Sequence, residues 1–433
     1  MIAQLLFLVF TIAAIVLFTI NVRKIIRNIN LGRPLNRSDR PAERFMVMLK
    51  VAFGQTKMTK RPVAAILHFF VYAGFIIINL EVLEIIIDGL FGTHRIFASP
   101  LGGIYSFLIG SFEILAALVL VGIIAFYARR NFLKLKRFTG VEMTSWPRSD
   151  ANNILIIETL LMTAFLLMNA SDYRLQQLGT SHYISAGAFP VSGFIAPYLP
   201  SSESALIMIE RSAWWFHILG ILAFLNYLPY SKHFHILLAF PNTYYSNLKA
   251  KGEFTNMASV TNEVKAMMDP SFTPEPVAEG GKFGARDITD LTWKNLMEAY
   301  TCTECGRCTS VCPANITGKL LSPRKIMMDT RDRMEEVGRN LDKHGKDFKD
   351  DKSLLGTYIS PEEIWACTTC NACTEACPIN IDPLDIIVEL RRYSVMEESQ
   401  APASLNNMFG NVENNGAPWK YSPEDRLNWA ERN

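Results

Sequence analysis

Cys302-Thr-Glu-Cys305-Gly-Arg-Cys308-Thr-Ser-Val-Cys312-Pro313 and Cys367-Thr-Thr-Cys370-Asn-Ala-Cys373-Thr-Glu-Ala-Cys377-Pro378 repeat one spacing, C-x2-C-x2-C-x3-C-P, and use all eight cysteines of the chain. Thiolates are soft ligands suited to iron–sulfur clusters. Three cysteines at x2 spacing on a tight loop can each face one corner of a cubane. The fourth, followed by proline, turns its sulfur toward the other cluster in two-cluster proteins. The expected ligation is therefore crossed: Cys302, Cys305, Cys308 and Cys377 for one 4Fe–4S cluster, and Cys367, Cys370, Cys373 and Cys312 for the second. Zinc sites pair two C-x2-C knuckles and leave the third and fourth cysteines surplus. Disulfides are disfavoured in a reducing compartment, which is where the charge pattern below places this region. The 54 residues from 313 to 366 include a plausible helix over Ser322–Val337, with Pro323 near its start, and little that reads as strand. A helical ferredoxin is expected rather than a β-containing one.

Upstream the composition changes. Hydrophobic residues make up 49% of the 433-residue chain and charged residues 19%, but residues 1 to about 240 hold most of the apolar content. Five stretches approach the roughly 17–25 residues that cross a bilayer as helix: Ile2–Ile20, Pro62–Asp88, Ile104–Tyr127, Ile154–Ala170 and Ala213–Tyr230. A cleaved signal peptide in place of the first is the rival, but the N-terminus has no basic region and no small-x-small cleavage signature. Segment 21–61 carries eleven Lys and Arg against two acids, and 128–151 six against two, whereas 89–103 and 171–205 are nearly free of them. Basic loops stay on the cytoplasmic side. Five spans then place the N-terminus outside, and everything after Tyr230 in the cytoplasm at the inner membrane. The fold class expected is all-α. Its parts are a five-helix transmembrane cytochrome b domain (1–245), a linker (246–285), a cytoplasmic ferredoxin domain (286–395) and a partner-docking tail (396–433). The linker is marked by Pro270, Pro274, Pro276 and Glu279-Gly280-Gly281.

Ionisable residues inside spans are functional candidates, and imidazole is a usual ligand of haem iron. His68 and His235 fall near the same face and are expected to be the axial ligands of one b-type haem. His217 lies deeper, 18 residues or five helical turns before His235; it serves either a second haem or an interhelical hydrogen bond. His233 reads as a headgroup-level surface residue, and His94 and His182 as outer-loop residues that ligate nothing. Glu81, Glu84, Glu113 and Glu158 are either interfacial or involved in moving protons to a quinone. No G-x-G-x-x-G or G-x-x-x-x-G-K-[ST] fingerprint is present. The basic runs abut apolar spans, so they do not read as nucleic-acid patches.

Residues 213–245, Ala-Trp-Trp-Phe-His217 through His-Phe-His235 to Pro241-Asn-Thr-Tyr-Tyr, resemble the last transmembrane helix of nitrate reductase gamma-type cytochromes b and of the heterodisulfide reductase membrane subunit. In the nitrate reductase branch two histidines at this spacing bind two haems, completed by two more on the second helix. His68 matches the first of those, and Ile78 stands where the other would be. The segment Asp290-Leu-Thr-Trp-Lys through Cys312-Pro looks like the iron–sulfur subunit of heterodisulfide reductases. It is likewise similar to the fused membrane proteins that pass electrons from electron-transfer flavoprotein to menaquinone. The tail, Asn411-Val-Glu-Asn-Asn-Gly-Ala-Pro-Trp419 and Arg426-Leu-Asn-Trp429, is similar to the connector that precedes a cysteine-rich CCG domain in those fusions, and no cysteine follows Cys377. The resemblance implies an oxidoreductase subunit active within a complex. Its partners would be a CCG-domain polypeptide and a flavoprotein, and menaquinone its membrane substrate. The alternatives are a non-quinone electron conduit and a redox-sensing anchor with protein partners only.

Overall fold

The computed structural model describes residues 1–273 and 282–431; the Pro274–Gly281 part of the expected linker lies outside them. Among the described residues the chain is helical, with two isolated β-bridges and no strand. It divides into two compact units. The first holds 1–27, 40–244 and 300–306, and the second 28–39, 245–299 and 307–433.

Five helices of the first unit are long and apolar enough to cross a membrane, which makes this a multi-pass membrane protein. They are α1 (Ile2–Ile29), α2 (Pro62–Phe91), α3 (Gly103–Asn131), α4 (Trp146–Leu178) and α5 (Glu203–Tyr227), the last extended by a turn to Tyr230. In sequence α2 packs on α3, α3 on α4 and α4 on α5. Phe7 of α1 reaches the others through Trp214, with ring centroids 5.6 Å apart. The fully buried Ile109, Ala116, Phe165 and Ile218 form the centre of the bundle. Much of the remaining apolar surface of α1 is exposed, Leu5 by 63% for example, as lipid contact requires.

Helix α4 runs past the ends drawn from hydropathy. At its two ends it carries Asp150 and Asp172, polar residues that close an apolar window but not a helix. Both are buried and bonded: Asp150 accepts from Tyr227 Oη at 2.6 Å, and Asp172 from Arg95 Nε at 2.6 Å. Once its partners come from neighbouring helices, a buried carboxylate no longer opposes the helix. In the fifth span the correction runs the other way. Pro229 ends α5 in a tight turn, Ser231 is extended (φ −114°, ψ 149°), and a new helix, α6, covers His235–Tyr244. His217 and His235 are thus not on one continuous helix, and the five-turn spacing does not describe them.

The second unit shows how sequence starts helices. α8 (Pro323–His344), α9 (Pro361–Trp365) and α11 (Pro383–Met396) each begin at proline behind a capping side chain. Ser322, Ser360 and Asp382 accept from backbone amides of the first turn, and the fixed φ of proline suits the first helical position. α8 outruns the Val337 end read from sequence because nothing breaks it until Gly345, at φ 90°. α7 (Trp293–Thr301) leads into the first cysteine motif and α10 (Ala372–Ala376) lies within the second. The core is Leu296, Ile326, Met334, Ile364, Ile386 and Leu390. The tail contains α12 (Ala403–Asn415), followed by an exposed row of Trp419, Tyr421, Leu427 and Trp429.

The stretch 28–39 joins this unit from far upstream. Arg33 N donates to Leu291 O at 2.7 Å, Trp293 N to Arg33 O at 3.1 Å, and Trp293 Nε1 to Leu35 O at 2.9 Å. Gly32 permits the approach: a Cβ there would lie 2.6 Å from Trp293 N, against backbone that cannot yield. Gly32→Val is therefore expected to destabilise this unit by about 1–3 kcal/mol. Thermal unfolding of the loaded protein would show it as a lower midpoint, and an unchanged midpoint would refute the close packing.

Candidate metal centres

Both cysteine loops have the same backbone. Two residues after the leading cysteine the chain turns into the left-handed region, at Glu304 (φ 55°) and Thr369 (φ 54°). It does so again two residues later, at Gly306 (φ 69°) and Asn371 (φ 58°). Glycine and asparagine are the residues that tolerate this geometry, which explains Gly306 and Asn371 without reference to any ligand. The repeated reversal wraps each loop into a concave turn.

All eight cysteines are free thiols; Cys302, Cys312, Cys373 and Cys377 are buried. In the second unit Cys312 lies close enough to Cys367 for the charge on one to bear on the other, as does Cys370. Cys373 in turn is coupled to Cys367. The last cysteine of motif one thus stands with the first three of motif two. Backbone amides point at sulfur, Thr369 N to Cys367 Sγ at 3.4 Å and Ile381 N to Cys377 Sγ at 3.3 Å; such contacts tune cluster potentials. Arg391 donates to Ile364 O at 2.7 Å and to Cys367 O, and lies over the Trp365 ring, clamping the start of motif two. Burial pushes the Cys373 thiol up to about 12 and raises that of Cys367. A bound metal reverses this penalty by holding the thiolate directly. Among the described residues no three His, Cys, Asp or Glu groups close on a single ion. A cubane, which keeps its four cysteines on separate corners, asks for a wider spread than that. The donor set fits 4Fe–4S clusters.

At the end of the bundle that carries residues 40–61, 132–145 and 231–244, three histidines gather. His68 Nδ1 meets Gln55 Oε1 at 3.0 Å, and His235 Nδ1 meets Lys232 O at 3.0 Å. His233 is not the surface residue expected. Its side chain is 12% exposed, its ring lies 5.5 Å from that of His235, and its Nε2 is 3.4 Å from Glu158 Oε1. Burial, with His235 and His68 close by, pushes its pKa down to about 3. Burial also lowers His235. Neutral imidazoles whose Nδ1 is tied to a carbonyl or amide oxygen are prepared for metal binding through Nε2. His217 shows the same preparation deeper in the bundle. Its Nδ1 bonds Leu161 O at 2.9 Å, and its Nε2 is buried without a partner among the described residues. The residues around it are apolar, with Phe165 5.7 Å away between ring centroids and Ile78 in the same buried cluster.

Lys232 connects the two kinds of centre. Its ammonium donates to Pro147 O at 2.6 Å and forms an ion pair with Glu304, which lies between Cys302 and Cys305 within the same unit. Both side chains are buried, at 9% and 2% exposed.

Of the four carboxylates read as interfacial or proton-handling, Glu81, Glu84 and Glu113 are buried inside the bundle. Glu84 accepts from Phe97 N at 2.8 Å and Tyr105 Oη at 2.6 Å; Glu113 accepts from Val191 N at 2.9 Å and Ser192 N at 3.1 Å. They fasten the loops 92–102 and 179–202 at the distal end. Sequence reasoning passed over Arg95, the organiser of this region. Besides Asp172, Arg95 donates to Asn169 Oδ1 at 2.9 Å and Tyr105 Oη at 3.3 Å, and lies 3.7 Å from Glu81. The signal was available: a lone arginine in a loop otherwise nearly free of basic residues.

A helical, multi-pass membrane protein with two four-cysteine loops defines a class, the membrane-bound iron–sulfur proteins. Residues 301–381 match the family of 4Fe-4S dicluster domains. The chain is 30% identical to a probable iron–sulfur-binding oxidoreductase, FadF, of Bacillus subtilis, over 99% of this chain and 60% of the relative. It is 26% identical to the EtfAB:quinone oxidoreductase of Syntrophomonas wolfei, over 92% of this chain and 55% of the relative. It is also 34% identical to one subunit of the ferredoxin/F420H2-dependent CoB-CoM heterodisulfide reductase of Methanosarcina acetivorans, over 27% of this chain and 60% of that one. The chain is thus related to the heterodisulfide reductase-type iron–sulfur oxidoreductases of membranes, and spans about 60% or less of the relatives' lengths. No solved structure matches it.

Proposed function

We propose that this chain is an electron-transfer subunit that connects a soluble redox partner with a menaquinone-type pool in the membrane. Electrons pass through two 4Fe–4S clusters, ligated in the crossed pattern, and a b-type haem on His68 and His235. The iron–sulfur unit faces the cytoplasm and the N-terminus the outer side, as the Lys and Arg distribution favours. The observation that carries this reading is the Lys232–Glu304 pair, because it ties the first cysteine loop to the residue beside His233. Cofactors supply the redox chemistry; the protein sets their positions and potentials. The proximity of Cys312 to Cys367 supports the crossed ligation. His217, with its spare Nε2, supports a second haem, and its apolar surroundings offer no second histidine for it. The exposed aromatic row from Trp419 to Trp429 suits docking of a CCG-domain or flavoprotein partner. The relative named an EtfAB:quinone oxidoreductase favours the quinone link over a plain conduit.

The test is spectroscopic. The purified chain should contain about eight cluster irons and a b-type haem reduced by quinol. His68→Ala should abolish that haem spectrum while both clusters persist, and a full haem spectrum in the variant would remove the ligand assignment. Clusters without any haem would favour the redox-sensing anchor, and haem that no quinol reduces would favour the non-quinone conduit.

A further inference from the structure

Of the carboxylates fixed inside the bundle, one has an atom to spare. Glu81 lies ten residues before the end of α2, roughly 15 Å in from the distal end at helical rise. Its side chain is 2% exposed, and its Oε2 has no hydrogen-bond partner among the described residues. Its other oxygen faces Arg95 at 3.7 Å. A buried polar atom left unsatisfied costs about 1–3 kcal/mol and calls for an explanation. Beyond Arg95, the same cluster ends on a second such group. His94 sits with Nε2 3.5 Å from Asp172 Oδ2; its side chain is 10% exposed, and its Nδ1 is buried and unpartnered among the described residues. Next to it, 5.3 Å between ring centroids, is His182, which is exposed. Glu84, Asp88 and Glu113, by contrast, are committed to loop amides and Tyr105.

We propose that this cluster is the site where a quinone headgroup exchanges protons, with Glu81 as the group that takes or gives the proton. His94 is the next station, leading to His182 and water at the distal end. The inference rests on the quinone reading above and names its site. In the oxidative direction two O–H bonds of the quinol break. Two electrons go to the iron centres of this chain, and two protons go by way of Glu81 and His94 to water; reduction reverses each step. Arg95, already ion-paired with Asp172 and held by Asn169, supplies a fixed positive charge beside the carboxylate that handles the proton.

Two measurements test this on the full chain. Dicyclohexylcarbodiimide attacks protonated carboxylic acids in apolar surroundings, and peptide mass spectrometry of the treated membranes should find Glu81 labelled. Menadione should protect it, whereas Glu84 and Glu113 stay unlabelled. Equal labelling of all three, or no protection by menadione, would overturn the proposal. In the second, menadiol reduces the metal centres of the loaded protein in proteoliposomes. Glu81→Gln should slow this about a hundredfold, as loss of a positioned acid–base group does. Dithionite should still reduce the same centres fully, and Glu81→Asp should recover part of the rate. Wild-type protein that menadiol cannot reduce would refute the quinone reading itself. Wild-type and Glu81→Gln protein reduced equally fast would refute only the site.

Discussion

Cys312→Ser is expected to abolish the cluster of the second motif and to leave that of the first. Iron should fall from about eight to about four per chain, since each cubane carries four. The electron paramagnetic resonance signal that survives should match the one left by Cys367→Ser. Cys377→Ser should instead match Cys302→Ser. The reason is spatial: Cys312 stands within electrostatic reach of Cys367, which is also coupled to Cys370 and Cys373. If each motif bound its own cluster, Cys312→Ser would pair with Cys302→Ser, and the crossed arrangement would be wrong. Serine keeps the size of the side chain but offers a hard oxygen where iron–sulfur chemistry wants soft sulfur.

The second large effect is expected at Arg95. Its guanidinium is 7% exposed and serves Asp172, Asn169, Tyr105 and Glu81 together. Arg95→Leu leaves Asp172 and Glu81 without their counter-charge in a buried setting. Breaking a buried pair from one side costs about 3–5 kcal/mol, mostly as the stranded charge. The expected result is a markedly lower unfolding midpoint in detergent, together with loosened loops 92–102 and 179–202. Lys249→Ala, which removes one side of the exposed Lys249–Glu253 pair, should cost under about 1 kcal/mol. Similar midpoints for the two variants would mean that the Arg95 cluster does not hold the bundle together.

The all-helical class and the five spans were legible because they rest on patterns local in sequence: apolar windows and cysteine spacing. The ends of the spans were less so. Asp150, Asp172 and Glu210 look like boundaries to a hydropathy reading, whereas in the folded bundle each is buried and bonded to a residue distant in sequence. The same holds for His233, which adjoins a basic end and reads as a surface residue until Glu158, 75 positions earlier, supplies its partner. The kink at Pro229 was visible as a proline, but its consequence for the alignment of His217 and His235 required the extended Ser231 that follows. Arg95 was missed for a different reason. A single charge in a short loop has no periodicity, and its meaning appears only when three helices converge on it.

The pairing of residues 28–39 with 291–293 has a consequence for the order in which the protein can be made. Leu35 emerges from the ribosome 258 residues before its partner Trp293. Long-range contacts of this kind form late, because the loop between them must first be closed. The iron–sulfur unit cannot take its final shape until the five membrane helices have been synthesised and the first cysteine loop is about to follow. Cluster insertion then falls at the end of biogenesis, after the chain is already committed to the bilayer. A chain halted before residue 291 would hold an intact set of spans and a length of backbone with nothing to pair against.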